Sequence, residues 1–226
     1  VIQLGEEPDR VFCVGALGVE NIKTQQLMSR EELSQSIDFP LDLPYVLVTF
    51  HPVTLENATA CKQFDNLLTS LDGVREYRIL FTKANADTDG RIINEKIDSY
   101  VKNNKGRAVA YTSLGMKRYL SALQYSEMVI GNSSSGILEA PSFKIPTVNI
   151  GSRQLGRIRA KSVIDCTNSV EAISDAISKA KALKTKRELE NIRNPYEKSN
   201  TSENILFEIR RYLLNGKLAV KNLYDI

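Results

Sequence analysis

Residues 128–157 read MVIGNSSSGILEAPSFKIPTVNIGSRQLGR and contain two apolar runs separated by a turn of small residues. Residues 128–131 predict a strand, and a helix is predicted to begin at Ser135 or Gly136 with Glu139 in its first turn. Because proline cannot occupy a helix interior, this helix ends before Pro146, and a second strand is predicted over 146–150. Strand, turn, helix and strand in this order predict one unit of a parallel α/β sheet.

The turn in this stretch also has the composition of an anion site. The first amides of a helix have no partner within the helix, and the helix dipole places positive potential there. Ser133, Ser134 and Ser135 add hydroxyl donors, and Arg153 and Arg157 follow on the next loop with guanidinium groups suited to phosphate oxygens. A run of serines before a helix is also a common N-cap, and the serine motif alone does not separate the two interpretations.

Glu139 favours a sugar over a phosphate as the group that it contacts. A carboxylate repels phosphate, but it accepts hydrogen bonds from two hydroxyl groups at once. The combination of the serine turn, the two arginines and Glu139 therefore predicts a site for a phosphorylated sugar.

Elsewhere in the chain, apolar runs alternate with amphipathic segments, and we predict an α/β fold with a Rossmann-like parallel sheet flanked by helices. Strands are predicted over 11–15, 45–50, 77–82, 108–111, 128–131, 146–150 and 163–166. Residues 16–22 are predicted to form a linker, Ser29 and Glu32 a capping box, and 203–214 a final helix whose Ile205, Leu206, Ile209 and Leu213 face the core.

His51 is the only histidine and directly follows the apolar strand predicted over 45–50. Asn85 and Ser133 follow two other predicted strands, and ligands of open parallel sheets bind at the carboxyl ends of the strands. We therefore predict that these residues share one site. The alternative is that His51 only terminates its strand.

Composition excludes several classes of function. With 226 residues, 30 basic and 27 acidic side chains and a net charge of +3, the chain is not predicted to bind nucleic acid. Three widely spaced cysteines and one histidine predict neither a disulfide framework nor a metal site, and they fit a reducing cytoplasm. No apolar run is long enough to span a membrane. Neither GxGxxG nor GxxxxGK[ST] is present, and no cofactor is expected.

Four segments resemble the hydrolysing UDP-N-acetylglucosamine 2-epimerases, which release UDP and N-acetylmannosamine. They are FHPVTLEN (50–57), IGNSSSGILEA (130–140), IPTVNIGSRQLGR (145–157) and NPY (194–196). The non-hydrolysing enzymes differ at the HPVTLEN and GSRQLGR positions. The resemblance implies the C-terminal half of a GT-B fold, in which two Rossmann-like domains enclose the active site, and a UDP-sugar as substrate.

The resemblance also implies a division of the chain. Since the sequence starts at Val1 without methionine, we expect a piece of a longer protein that carries an N-terminal domain. Residues 1–18 are then the tail of that domain and a linker, 19–215 the UDP-binding domain, and 216–226 a C-terminal tail. Members of the family commonly form homodimers, and the family resemblance places the protein in bacterial sialic acid biosynthesis.

Individual roles follow from the resemblance. His51 matches a catalytic histidine that faces the diphosphate and the sugar, and the uracil is expected to contact backbone groups of the loop 111–116. The residues expected to bind UDP are Asn85, Ser113, Ser133, Ser134, Gly136, Glu139 and Arg153, with Ser133 and Ser134 on the diphosphate, Glu139 on the ribose and Arg153 near the phosphates.

The implied reaction is an elimination followed by a hydration. A base removes the proton on C2 while UDP leaves C1, and water then adds to the 2-acetamidoglucal. The proton-transfer carboxylates of the family lie in the N-terminal domain, and Glu56, Asp87 and Asp89 are not expected to replace them. The chain alone is expected to bind UDP weakly and to show no turnover.

Two other functions stay open at this point. One is a nucleotide-sugar glycosyltransferase of the same architecture, and the other is a non-catalytic module that binds nucleotide sugars. The sugar itself is either UDP-N-acetylglucosamine or a related diacetamido sugar.

Overall fold

A computed structural model of the chain describes residues 1–53, 59–85, 88–185 and 188–214. Its strands are β1 (Tyr45–Thr49), β2 (Arg78–Thr82), β3 (Ala108–Tyr111), β4 (Val129–Gly131), β5 (Thr147–Ile150) and β6 (Val163–Cys166). Its helices are α1 (Leu17–Thr24), α2 (Arg30–Ser36), α3 (Ala60–Asp72), α4 (Thr88–Asn103), α5 (Gly115–Tyr125), α6 (Ser135–Leu138), α7 (Val170–Thr185) and α8 (Thr201–Leu214). Short 3₁₀ helices cover Ile2–Leu4, Pro8–Arg10 and Ala140–Phe143.

The six strands form one parallel sheet in the order β3-β2-β1-β4-β5-β6. The direction in which successive strands are added reverses between β1 and β4, which are neighbours with Thr49 opposite Gly131. Ligands of such sheets bind in the crevice at this reversal, outside the carboxyl ends of the strands. The predicted α/β fold, one Rossmann-like half of the GT-B architecture, is confirmed.

Apolar strands place helices on both faces of the sheet. All five residues of β1 are buried, as its unbroken apolar sequence predicts for a strand covered on both sides. Val46 and Val48 belong to the core that β1 shares with α3, α4 and α7. Tyr45 faces the opposite side, where its hydroxyl donates to the carbonyl oxygen of Ala122 in α5 at 2.6 Å.

The chain divides into two compact units. Residues Gln25–Pro195 contain the whole sheet and helices α2 to α7. At the start of this unit the predicted capping box is confirmed, because Ser29 Oγ accepts from the Glu32 N–H at 3.1 Å and Glu32 Oε2 accepts from the Ser29 N–H at 2.8 Å. All residues of the predicted site that the structure describes belong to this unit.

The second unit consists of Val1–Thr24 and Tyr196–Ile226, described as far as Leu214, and three predictions fail in it. Residues 11–15 do not form a strand, because this unit is built of α1, α8 and short turns and offers no sheet edge to pair with. Residues 17–24 form α1 instead of a linker. The apolar side of α8 is largely exposed rather than in the core, with Leu206 50% and Leu213 73% accessible.

No helix in the described ranges combines the length and the apolar character that a membrane crossing requires. The predicted C-terminal tail, 216–226, lies outside the described residues, as do Glu56 and Asp87. Asp89 lies in the first turn of α4.

Candidate functional site

The loops that follow β1 to β5 all lie at the carboxyl-terminal ends of the strands, on the same side of the sheet, because all strands are parallel. A cleft of about 410 Å³ opens there, next to the reversal between β1 and β4. It brings together three predicted site residues: His51 after β1, Ser113 after β3 and Ser133 after β4. The other residues that line it are Thr49, Thr82, Lys83, Thr112, Leu114, Gly115, Met116, Tyr119 and Ser135.

The serine turn begins at Gly131, the last residue of β4. A Cβ atom at this position would stand 1.9 Å from the carbonyl oxygen of Thr49, and Gly131 has a φ of +136°. No residue with a side chain fits there, so glycine is what lets β4 end against β1 and turn into the site.

The helix after the turn is shorter than predicted. α6 has four residues, and Glu139 follows its end rather than lying in the first turn of a longer helix. Pro141 explains the difference, because it has no N–H to donate to Ile137 and starts the 3₁₀ helix Ala140–Phe143. A single helical turn has little dipole, so attraction for an anion here depends on individual N–H and O–H donors.

Those donors are the backbone groups of the turn itself. No described residue accepts a hydrogen bond from the N–H of Ser133 or Ser134, and both residues are only half-buried. The Ser133 hydroxyl accepts from the Ser135 N–H at 3.4 Å, which shapes the turn. Two adjacent amides without an acceptor in the described part of the chain are available to donate to a ligand, as the backbone amides of phosphate sites do.

Gly136 has a different environment from the serines. Its N–H donates to the Ser133 carbonyl oxygen at 3.3 Å, and its carbonyl oxygen accepts from the Thr147 hydroxyl at 2.8 Å. A Cβ at Gly136 would stand 2.5 Å from Thr147 Cγ2. The structure therefore places Gly136 behind the cleft, where it lets α6 approach β5.

The imidazole of His51 faces the loop after β2. Its Nδ1 accepts from the backbone N–H of Asn85 at 3.4 Å, so in the neutral ring the proton lies on Nε2. Asn85 thus meets the site through its backbone. On the far side of the cleft, the Ser113 hydroxyl accepts from the Gly115 N–H at 3.2 Å and closes the turn before α5.

Arg153 reaches the site from the loop after β5. Its Nη1 donates to the carbonyl oxygen of Asn132 at 3.0 Å, directly before the serine turn. The residue is exposed overall, so its guanidinium remains accessible to solvent while Nη1 bonds to the main chain. A guanidinium in this position is suited to oxygens of a bound phosphate.

Glu139 is largely withdrawn from water. Its Oε2 is buried and has no hydrogen-bond partner in the described part of the chain. Burial raises the pKa of this carboxyl, while the Ser135 hydroxyl, the residue's own N–H and the charge of Arg157 act in the other direction. A buried carboxylate oxygen without a donor is suited to accept from a ligand hydroxyl.

Tyr119 is the site residue that the sequence interpretation missed. It lies on α5 and lines the cleft, and its hydroxyl is buried without a hydrogen-bond partner among the described residues. Burial raises the pKa of the phenol to about 12, and the nearby hydroxyls of Ser135 and Thr49 partly oppose that rise. Because Tyr119 lies on the inward face of an amphipathic helix, the sequence pattern marks it as an ordinary core residue.

Three buried polar atoms have no hydrogen-bond partner among the described residues: Tyr119 Oη, Ser135 Oγ and Glu139 Oε2. Tyr119 and Ser135 line the cleft, and Glu139 lies one helical turn after Ser135, whose carbonyl oxygen accepts from the Glu139 N–H at 2.9 Å. Native structures leave few such atoms unpaired, and a cluster of them beside a cleft marks a place where a polar ligand completes the hydrogen bonds.

Curated proteins similar to this chain include a nucleotide-sugar epimerase and a polysialic acid biosynthesis protein. The chain is 41% identical, over 73% of its length and 43% of the relative's, to GDP/UDP-N,N'-diacetylbacillosamine 2-epimerase (hydrolyzing) of Campylobacter jejuni. It is 37% identical, over 100% of its length and 57% of the relative's, to the polysialic acid biosynthesis protein P7 of Escherichia coli. The chain thus spans about half the length of the curated relatives it matches.

Solved structures agree on the fold. The UDP-GlcNAc 2-epimerase of Methanocaldococcus jannaschii, solved with UDP-GlcNAc and UDP, aligns with a TM-score of 0.69 and 18% identity. The alignment covers 93% of this chain and 57% of that protein. The family model of UDP-N-acetylglucosamine 2-epimerase matches residues 1–210, and on this match the chain belongs to the UDP-N-acetylglucosamine 2-epimerase family.

Proposed function

We propose that this chain is the UDP-binding half of a hydrolysing 2-epimerase that acts on a UDP-sugar. The observation that carries the proposal is the meeting of His51 and the serine turn across the reversal between β1 and β4. Family membership supports the reaction, and the relative at 41% identity is named as a hydrolysing enzyme. We assign the UDP-binding domain to 19–215, with 1–18 and 216–226 as flanking segments.

The diphosphate is proposed to lie over the serine turn. The N–H groups of Ser133 and Ser134 face it without a described acceptor of their own, and Arg153 approaches from the next loop. His51 supplies an Nε2–H donor from the other side, given that its Nδ1 accepts from Asn85. Amides, a guanidinium and an imidazole N–H together offset the charge of two phosphates.

The nucleoside is proposed to extend from the turn towards α5. Glu139 accepts from the ribose hydroxyls, and the cluster that it forms with Ser135 and Tyr119 supplies further polar groups. The loop 111–116 then contacts the uracil, and five of its residues, 112–116, line the same cleft.

The chemistry that this half serves is the departure of UDP. The C2 proton goes to a base, the electron pair of the C2–H bond forms the C1=C2 double bond, and the C1–O bond breaks with both electrons on the diphosphate. Water then adds across the double bond with a hydroxyl on C1 and a proton on C2, giving the 2-epimer. Each donor aimed at the leaving diphosphate can be worth roughly 3 to 4 kcal/mol in the transition state.

We place the base and acid for C2 in an N-terminal domain of the full-length protein, since this chain covers only 43% of the length of the relative. The relatives named for a diacetylbacillosamine epimerase and for polysialic acid biosynthesis support an acetamido sugar as substrate. We propose that the protein acts in the bacterial cytoplasm, in the synthesis of sialic acid or a related sugar. The assembly is proposed to be a homodimer. We expect no cofactor, metal or nucleic-acid partner.

Product analysis tests the proposal. The full-length protein is incubated with UDP-N-acetylglucosamine or with a UDP-diacetamido sugar, and ¹H NMR follows the anomeric signals in D₂O. Free UDP, a free 2-epimer and one deuteron on C2 are expected with one of the two sugars. Transfer of the sugar to an added acceptor would support the glycosyltransferase, and UDP-sugar binding without release of UDP would support the non-catalytic module.

A further inference from the structure

The backbone of His51 is held by a side chain rather than by a neighbouring strand. Asn132, which is 1% exposed, follows β4 directly. Its Oδ1 accepts from the His51 N–H at 2.7 Å, and its Nδ2 donates to the His51 carbonyl oxygen at 2.7 Å. A side-chain amide offers one acceptor and a donor as a peptide group does, so Asn132 extends the β1–β4 pairing past Thr49 and Gly131.

The main chain of Asn132 reaches in the other direction. Its carbonyl oxygen accepts from Arg153 Nη1 at 3.0 Å and from Gln154 Nε2 at 2.8 Å. Gln154 is itself only 3% exposed, so this contact fixes the loop after β5 as well. Asn132 is therefore hydrogen-bonded both to His51 in the loop after β1 and to Arg153 in the loop after β5.

A second asparagine, Asn94, holds in the same way the segment that donates a hydrogen bond to the His51 ring. Asn94 Oδ1 accepts from the Ala84 N–H at 2.8 Å, and Asn94 Nδ2 donates to the Ala84 carbonyl oxygen at 3.1 Å. The next residue, Asn85, donates its N–H to His51 Nδ1. The main chain of His51 is thus fixed from β4, and its ring is fixed from β2.

We propose that Asn132 is a positioning residue that holds His51 and Arg153 in one fixed arrangement around the serine turn. The inference rests on the proposed function, in which both side chains face the diphosphate of the ligand. Donors aimed at a developing charge act strongly only when they do not have to reorient during the reaction. His51 and Arg153 both lie in loops after their strands, and Asn132 is hydrogen-bonded to both of them.

The alternative is that Asn132 has a structural role only, in which it satisfies the main-chain groups of His51 at the end of the sheet. In that case, removing the Asn132 side chain should destabilise the protein and weaken the binding of every ligand by the same factor. A positioning role predicts a loss confined to the phosphate side, because His51 and Arg153 face the phosphates and the nucleoside contacts other residues. Pyrophosphate and uridine separate the two roles, since each ligand carries one half of UDP.

The experiment compares Asn132→Ala with Asn104→Ala in this chain. Asn104 lies before β3, at the amino-terminal ends of the strands, and its Nδ2 donates to the Tyr100 carbonyl oxygen in α4 at 2.9 Å, so the control also removes a side-chain amide that bonds to the main chain. NMR titrations give the affinity for pyrophosphate and for uridine. Hydrogen exchange of the His51 N–H, and the ring signals of the only histidine, report on His51 directly.

With Asn132→Ala we expect pyrophosphate affinity to fall roughly tenfold or more and uridine affinity to stay within about twofold. The His51 N–H should exchange at least about tenfold faster. Asn104→Ala should change none of these quantities. If Asn132→Ala does not fold, Asn132→Ser, whose hydroxyl is too short to reach both groups of His51, should show the same pattern.

Equal losses for pyrophosphate and uridine, or an unchanged affinity for pyrophosphate, would overturn the positioning role while leaving the proposed function intact. A wild-type chain that binds neither pyrophosphate nor UDP would overturn the proposed function, and the purpose assigned to Asn132 with it. Unchanged exchange of the His51 N–H would show that Asn132 does not hold His51 in solution.

Discussion

The main chain of Gly131 passes so close to Thr49 that a Cβ atom on residue 131 would stand 1.9 Å from the Thr49 carbonyl oxygen. The φ of Gly131, +136°, is also outside the range that side-chain-bearing residues favour. This contact lies where β1 and β4 end together, and it sets the distance between His51 and the serine turn. The geometry of the site therefore depends on a residue that has no side chain to contact a ligand.

Gly131→Ala should unfold the protein or destabilise it severely. The clash cannot be relieved by rotating a side chain, because the contacted atom belongs to the backbone of β1. Overpacking of roughly 1–3 kcal/mol and an unfavourable φ of roughly 1–2 kcal/mol predict a loss of about 2–5 kcal/mol in the free energy of unfolding. Urea denaturation followed by circular dichroism measures it.

Gly106→Ala is the matched control for this prediction. Gly106 has a φ of +80°, but nothing lies within 4 Å of a Cβ placed there. This variant should therefore lose only the conformational part, about 1–2 kcal/mol. Equal losses in the two variants would mean that the close approach of Gly131 to Thr49 relaxes at little cost.

Much of the fold follows from the sequence because the strands are nearly all apolar. Runs such as YVLVTF are specified by burial on both faces, and all six strands of the sheet fall within a residue or so of their predicted limits. The strand prediction fails in the second unit, where residues 11–15 are apolar enough for a strand but have no sheet edge to join. A local pattern cannot reveal whether a partner strand is available.

The site is predictable where a residue type is rare and lies at a strand end. His51 and Ser133 are such residues, and they line one cleft. Asn132 and Tyr119 were not predicted, because their importance depends on hydrogen bonds that are made, or left unmade, between elements distant in the chain. Gly136 is expected at the ligand, and the structure shows that it also packs against Thr147, since a small residue serves close packing as well as close approach to a ligand.

Glu139→Ala should weaken UDP much more than pyrophosphate. If the buried carboxylate accepts from the ribose hydroxyls, its loss removes hydrogen bonds to a charged group, each worth about 1.5–3 kcal/mol. We therefore expect a 10- to 100-fold loss of UDP affinity and a change of less than about threefold for pyrophosphate. Isothermal titration calorimetry of this chain with both ligands provides the comparison.

Glu127→Ala serves as the control for the loss of a carboxylate. Glu127 lies just before β4, at the amino-terminal end of that strand and away from the site, and pairs with Lys184 at 2.8 Å. Its removal should leave both affinities unchanged. A Glu139→Ala variant that loses UDP and pyrophosphate to the same degree would place Glu139 away from the ribose.

Glu139 should also make stability depend on pH in an identifiable way. Burial raises the pKa of its carboxyl above the ordinary 4.5, so near that pH the folded chain binds more protons at this group than the unfolded chain does. The contribution of Glu139 to the free energy of unfolding is therefore fully present below pH 4.5 and falls as the pH rises through the raised pKa. Glu139→Gln, which does not titrate, should lack this fall.

Urea denaturation of the ligand-free chain between pH 4 and pH 8 tests this dependence. The stability of Glu139→Gln minus that of the wild type should become more positive as the pH rises through the titration of Glu139. Other titrating groups cancel in the difference because the two proteins share them. A difference that stays constant with pH, or that falls as pH rises, would contradict the assignment of a raised pKa to Glu139.

Tyr119→Phe and Tyr45→Phe remove the same atom from two tyrosines with opposite consequences. The Tyr119 hydroxyl is buried without a partner, so its loss should leave the free energy of unfolding unchanged or raise it by up to about 1 kcal/mol. The Tyr45 hydroxyl donates to the Ala122 carbonyl oxygen at 2.6 Å, so its loss should cost about 1–2 kcal/mol.

UDP affinity should show the reverse order for the two tyrosines. If a ligand hydroxyl completes the hydrogen bonds of the cluster around Glu139, Tyr119→Phe should weaken UDP roughly three- to tenfold, the effect of one neutral hydrogen bond. Tyr45→Phe should bind UDP as the wild type does, because the Tyr45 hydroxyl lies on the face of the sheet covered by α5 and bonds to that helix. Denaturation and calorimetry on the same samples measure both quantities. A Tyr119→Phe variant that is destabilised but binds UDP normally would show that the phenol serves the protein's own packing, and the ligand would then have to meet Glu139 without it.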